Sequence, residues 1–133
     1  MNVPFALAGV LALAGAAVHG IAGERMVVTK LRAEPLPSSP FGGPSFSKLM
    51  IRATWHITTI AFLVTGAALT ACAPGGSSEA CRGIGRLSAL AYAGFLALTI
   101  GLGAPHGPRG LFRHPAPLLF GMVAALAWWG TFS

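Results

Sequence analysis

Apolar residues fall into four long blocks, separated by short segments rich in proline, glycine and serine. The blocks cover residues 3–22, 49–72, 87–103 and 115–132. Each is about 20 residues long, the length that an α-helix needs to cross roughly 30 Å of hydrocarbon. A chain in lipid must also satisfy its backbone hydrogen bonds internally, which favours helices. The pattern predicts an all-α membrane protein with four transmembrane helices in a single domain, residues 1–133.

Helix start signals differ between the first and the fourth block. Asn2 is a residue type that caps helix N-termini, and Pro4 lies in the first turn, where its missing N–H costs nothing. The fourth block has two prolines near its start and only a short strictly apolar part. The first helix is therefore well defined, whereas the exact start of the fourth stays open.

Composition and charge agree with a membrane location. Hydrophobic residues make up 54% of the chain and charged residues 9%, against roughly 25% charged residues in an average soluble domain. The formal charge is +6 and the mean hydropathy is +0.71. The basic residues flank apolar blocks and show no pattern interleaved with aromatic residues, so nucleic acid is not an expected partner. Anionic lipid headgroups are the expected counter-charge.

The distribution of lysine and arginine predicts the orientation. Two of the nine, Arg82 and Arg86, lie near the second loop. The other seven surround the first and third loops: Arg25, Lys30, Arg32, Lys48, Arg52, Arg109 and Arg113. The positive-inside rule then places the basic loop 23–48 and the third loop in the cytoplasm. Both termini are expected on the outer, periplasmic side of a bacterial-type inner membrane, with the helices in an antiparallel bundle.

The chain has two cysteines, Cys72 and Cys81, at the edges of the second loop. That loop is assigned to the outer side by charge alone, and an oxidising compartment favours disulfides. We predict a Cys72–Cys81 bridge that ties the second helix to the third. The alternative is a pair of unpaired cysteines that act as small hydrophobic residues at the helix ends.

Small residues recur every four positions on two of the predicted helices, and they indicate helix packing. Inside lipid, close backbone approach through small residues replaces apolar burial as the signal for association. The ridges are Ala8, Ala12, Ala16 and Gly20 on the first helix, and Ala89, Ala93, Ala97 and Gly101 on the third. Five threonines on the second helix are expected to bond back to their own helix or across to a neighbour.

Histidines and charged residues gather at the predicted cytoplasmic ends of the helices. Antiparallel packing would bring His19 and His56 to a similar depth. The rim that would surround them, and that would meet lipid headgroups, comprises Glu24, Arg25, Lys48, Arg52, Arg109 and Arg113. Three hypotheses follow. The histidines bond to threonine, to Glu24 or to the backbone and fix the helix register; they bind haem b or a transition metal; or they form a proton path.

These observations favour a protein that acts by helix packing over an enzyme. The three acids, all glutamates, form no paired-carboxylate arrangement, and the sequence carries no nucleophile elbow or phosphate-binding glycine loop. The first functional hypothesis is an accessory or assembly subunit that contacts other membrane-protein subunits or a second copy of itself. The alternatives are a haem-binding or metal-binding redox protein that uses His19 and His56, and a small proton-coupled transporter.

Overall fold

A computed structural model describes residues 1–75, 78–107 and 114–133, except for the side chain of His106. These residues are mostly helical and contain no β-strand. The four long helices are α1 (Val3–Ala17), α2 (Pro44–Cys72), α3 (Glu79–Gly103) and α4 (Ala116–Gly130). The helical course of α1 continues through a π-helix, Val18–Gly23, and two short turns, Glu24–Met26 and Val28–Lys30. The predicted all-helical class and the four helices are confirmed.

Three helical stretches are long and apolar enough to cross a membrane: Val3–Lys30, Pro44–Cys72 and Glu79–Gly103. The second begins at Pro44, five residues before the predicted block, because proline fits the first turn of a helix. The fourth helix, Ala116–Gly130, has 15 residues and rises about 22 Å. This is short of the roughly 30 Å hydrocarbon core, so a fourth crossing remains a prediction.

By internal contacts the chain divides into two compact units, one made of residues 1–13 with 64–133 and the other of residues 14–63. The core of the first unit is aromatic and aliphatic, with Phe5, Leu69, Tyr92 and Val123 fully buried. Tyr92 packs its ring near Phe120, with centroids 6.0 Å apart. These contacts join α3 to α4 within this unit.

Asn2 anchors the start of α1 within the first unit. Its side-chain Oδ1 accepts a hydrogen bond from the Phe5 backbone N–H at 3.0 Å, which confirms the predicted cap. Its Nδ2 donates to the Gly130 carbonyl at 2.7 Å, and its backbone N–H donates to the Ala73 carbonyl at 2.7 Å. One asparagine therefore bonds to the chain just beyond the end of α2 and to the last residue of α4.

Glycines allow the closest contacts in the first unit. A Cβ added at Gly9 would lie 2.9 Å from the Gly66 carbonyl oxygen, and one added at Gly66 would lie 3.1 Å from the Gly9 oxygen. Added Cβ atoms at Gly85 and Gly130 would both collide with the Phe5 ring. The backbones of α1 and α2 thus meet at a glycine pair, and Phe5 occupies space that two further glycines leave open.

The disulfide lies in the same unit and matches the prediction. Cys72 and Cys81 are joined, with their Cα atoms 5.5 Å apart. Ser78 caps α3 by accepting a hydrogen bond from the Cys81 backbone N–H. The bridge therefore connects the last residue of α2 to the first turn of α3.

Candidate functional site

The second unit, residues 14–63, contains the polar side chains that the sequence places in apolar surroundings. Its first element after α1 is the six-residue π-helix Val18–Gly23. A π-helix bonds residues five apart instead of four, and such wide turns occur frequently at functional sites. Residues five apart then lie about one turn from each other. This geometry lets His19 and Glu24 face the same neighbouring helix.

The Glu24 carboxylate makes two side-chain contacts with α2. Its Oε1 lies 2.7 Å from Nη2 of Arg52, and its Oε2 lies 3.2 Å from Nε2 of His56. The Glu24 side chain is 15% exposed, whereas those of Arg52 and His56 are 57% and 41% exposed. Both carboxylate oxygens are shielded from solvent. The carboxylate is therefore the buried member of the cluster, and its two partners reach it from the outside.

His19 is held by polar and aromatic contacts to the same face of α2. Its Nδ1 lies 2.9 Å from Thr59 Oγ1, and its ring stacks on Trp55 with centroids 4.2 Å apart and planes 11° apart. Trp55 Nε1 also donates to the His19 carbonyl at 3.0 Å. These are the contacts to threonine and to Glu24 that the structural hypothesis for the two histidines predicts.

Trp55 is the member of this cluster that the sequence analysis missed. It lies three residues after Arg52 and four before Thr59, so helical spacing places all three on one face of α2. A Cβ added at Gly23 would lie 2.5 Å from the Trp55 ring, and one added at Gly20 would lie 2.7 Å from Thr59 Cγ2. Two glycines therefore permit the π-helix to approach α2. The signal in the sequence that could have identified Trp55 is its helical spacing from Arg52 and Thr59.

The cluster joins two helical segments, and we call it the carboxylate clamp: Glu24 and His19 from the segment after α1, with Arg52, Trp55, His56 and Thr59 of α2. A guanidinium 2.7 Å from the carboxylate opposes the binding of a metal cation at that oxygen by charge repulsion. Among residues 1–75, 78–107 and 114–133, with the His106 side chain set aside, no three His, Cys, Asp or Glu side chains form a group able to hold a metal. The haem or metal hypothesis for His19 and His56 stays a prediction.

The other predicted site residues have separate locations. Arg25 is exposed and its carbonyl accepts a hydrogen bond from Thr29 Oγ1. Lys48 lines a surface hollow together with Lys30 and Arg32. The remaining two rim residues, Arg109 and Arg113, lie outside the described residues.

The small-residue ridges differ in burial. Three residues of the first ridge, Ala8, Ala12 and Ala16, are buried, and the fourth, Gly20, lies against Thr59. Of the second ridge, on α3, one residue is buried, Ala89. The rest of that ridge is exposed: Ala93, Ala97 and Gly101. The first ridge is used inside the chain, whereas most of the second faces outward.

The threonines of α2 bond as expected from the sequence. Three side chains donate back to the carbonyl four residues earlier: Thr54, Thr58 and Thr70. Thr65 reaches across to the Tyr92 hydroxyl at 3.2 Å, and Thr59 reaches His19. The polar groups of this apolar helix are thus satisfied largely inside the protein, as lipid surroundings require.

Fold and site together define a small helical protein with three helices suited to crossing a membrane and an internal carboxylate clamp. Comparison of the chain with protein-family models, with curated protein sequences and with solved structures finds no match.

Proposed function

We propose that the chain is a small integral protein of a bacterial-type inner membrane and serves as an accessory or assembly subunit of a larger membrane complex. The observation that carries this proposal is the carboxylate clamp. Glu24 is contacted by Arg52 and His56, and His19 is stacked and bonded, so these groups hold helical segments together. Polar residues used in this way favour a role in helix packing over catalysis.

The proposal includes an antiparallel bundle of four transmembrane helices that forms one domain. Its support comes from Asn2, at the start of α1, which bonds to Ala73 beyond the end of α2 and to Gly130 at the end of α4. Helix starts that lie beside helix ends are what an up-and-down bundle requires.

The proposed orientation places both termini on the outer side. Seven of the nine basic residues flank the first and third loops, which favours a cytoplasmic location for those loops. The Cys72–Cys81 bridge supports the same orientation, because disulfides persist in an oxidising compartment such as the periplasm.

The outward ridge of α3 is the surface proposed to contact another subunit. Ala93, Ala97 and Gly101 are exposed, and an added Cβ at Gly94 or Gly101 would meet no atom within 4 Å. Helices in membranes approach closely where small residues face each other. A helix from a larger membrane protein is the proposed occupant, and a second copy of this chain is the other outcome of the test.

The test is purification of the tagged chain from native membranes in a mild detergent, with mass spectrometry of the recovered proteins and an absorbance spectrum. We expect larger partner subunits to be recovered with the wild-type chain and to be lost when Ala93→Leu fills the ridge. Ala67→Leu, at another exposed alanine, is the matched control and should retain them. Equal loss with both variants, or recovery of the chain alone, would refute the accessory role. A Soret band or stoichiometric metal would support the redox alternative.

A further inference from the structure

Beside the loop of the second unit is a surface hollow with a volume of about 480 Å³. This volume lies within the range of roughly 300–1,000 Å³ typical of small-molecule sites. Its charged lining consists of Lys30, Arg32 and Lys48 with Glu34 as the one acid. Lys30 ends the second short turn, Val28–Lys30, Arg32 lies two residues after it, and Lys48 comes from the start of α2.

The three cations of this hollow outnumber its one acid and form no ion pair within the described part of the chain. The ion pairs among residues 1–75, 78–107 and 114–133 use Arg52, Arg82 and Arg86, and none of them involves Lys30, Arg32 or Lys48. Three like charges around one hollow repel each other, and a bound anion would relieve that repulsion. The guanidinium of arginine matches phosphate oxygens in a bidentate geometry, and lysine adds point charges.

Helix lengths indicate at which level of the membrane the hollow lies. The helical stretch Val3–Lys30 has 28 residues, more than the roughly 20 that an apolar helix needs to cross the hydrocarbon core. Its last residue, Lys30, therefore lies at the level of the headgroups when the apolar part is in the core. Lys48 is in the second turn of α2, which has 29 residues and rises about 43 Å. Both helix lengths therefore favour a location of the hollow at the level of the lipid headgroups.

We propose that the hollow lined by Lys30, Arg32 and Lys48 binds a phosphate group, supplied by the headgroup of an anionic lipid. This inference rests on the membrane location proposed above and does not require a partner subunit. The same chemistry would accept a free phosphate ion, which has to be separated from a lipid by experiment. The site adds Lys30 and Arg32 to the headgroup contacts expected from the sequence.

The test uses the purified full-length chain in a neutral detergent and native mass spectrometry after addition of phosphatidylglycerol, phosphatidylcholine or inorganic phosphate. We expect one phosphatidylglycerol to be retained in preference to phosphatidylcholine. The change of Lys30→Gln with Arg32→Gln should weaken that binding about 30-fold, as expected for two basic residues near an anionic membrane surface. Lys48→Gln alone should weaken it about fivefold.

The control variant, Arg82→Gln with Arg86→Gln, removes the same charge from residues that pair with Glu79. It should leave the binding of phosphatidylglycerol unchanged, and helix content and the Cys72–Cys81 bridge should be the same in all variants. Binding of inorganic phosphate with the same dependence on Lys30 and Arg32, without retention of lipid, would support the anion site with a soluble source. Equal retention of both lipids, or equal loss with the control, would overturn the proposal. Neither result depends on the recovery of partner subunits, so failure of the lipid-binding proposal can be distinguished from failure of the accessory role.

Discussion

Loss of the charge on Arg52 should destabilise the protein more than loss of the charge on Glu24, although both changes break the same ion pair. The Arg52 side chain is 57% exposed and that of Glu24 is 15% exposed. Arg52→Gln leaves a buried carboxylate with only His56 beside it. Glu24→Gln leaves a guanidinium that can extend along its own stem toward the headgroups.

The magnitudes follow from the burial of each partner. Removing one partner of a fully buried pair costs about 3–5 kcal/mol, and an exposed pair is worth about 0–1 kcal/mol. Glu24 retains His56 at 3.2 Å, and the exposure of Arg52 reduces the energy of the pair through screening. We therefore expect Arg52→Gln to lower the free energy of unfolding by about 2 kcal/mol and Glu24→Gln by about 1 kcal/mol or less. The double variant should resemble Glu24→Gln, because it contains no unpaired carboxylate.

The measurement is unfolding in mixed micelles by titration with sodium dodecyl sulfate, followed by circular dichroism. Arg82→Gln is the control, since its partner Glu79 is 73% exposed, and the expected change is within about 0.5 kcal/mol. The reasoning fails if Glu24→Gln costs as much as Arg52→Gln. It also fails if the double variant shows the sum of the two losses.

Three other predictions follow from the topology, the bridge and the histidines. Reporter fusions after Ser39 and Arg109 should indicate the cytoplasm, and fusions after Ser77 and Ser133 should indicate the outer side; the reverse pattern would refute the orientation. Peptide mapping without reductant should recover Cys72 linked to Cys81, and loss of the bridge should cost roughly 2–3 kcal/mol; two freely alkylated thiols in protein from an oxidising compartment would contradict this. His56→Gln should be tolerated better in the same unfolding assay than His56→Leu, because an amide can donate a hydrogen bond to the Glu24 carboxylate and a leucine cannot. Equal losses together with disappearance of a Soret band or bound metal would instead indicate a ligand role.

Local signals in the sequence predicted much of the fold. The four apolar blocks correspond to the four long helices, Asn2 caps α1, and Cys72 bonds to Cys81. Each of these features depends on residues close together in the chain or on hydropathy alone. Cap residues and apolar blocks can therefore be recognised in the sequence without knowledge of the tertiary contacts.

The details of the site depended on tertiary contacts and were less predictable. Helical spacing alone would place Leu63, seven residues after His56, on the same face of α2, but Leu63 is 45% exposed and Phe62 is buried. The π-helix rotates the residues after it relative to an ideal α-helix, and no local pattern indicates where the extra residue is accommodated. Trp55 was missed for a related reason, since its role depends on His19 being presented to it from another segment.

The two compact units differ in the interactions that stabilise each one internally, and this difference bears on the proposed function. The unit of residues 1–13 and 64–133 has buried aromatic rings, close glycine contacts and a disulfide. The described contacts of residues 14–63 instead centre on a glutamate between an arginine and a histidine, and on a second, stacked histidine. Packing contacts act over short range in any apolar medium, whereas ion pairs strengthen or weaken with the local dielectric and with nearby charge. An anionic headgroup would therefore act mainly on residues 14–63, which also contain the cationic hollow. In an accessory subunit of the kind proposed above, residues 14–63 would respond to a headgroup bound beside them, while the unit that carries the exposed α3 ridge keeps its fold.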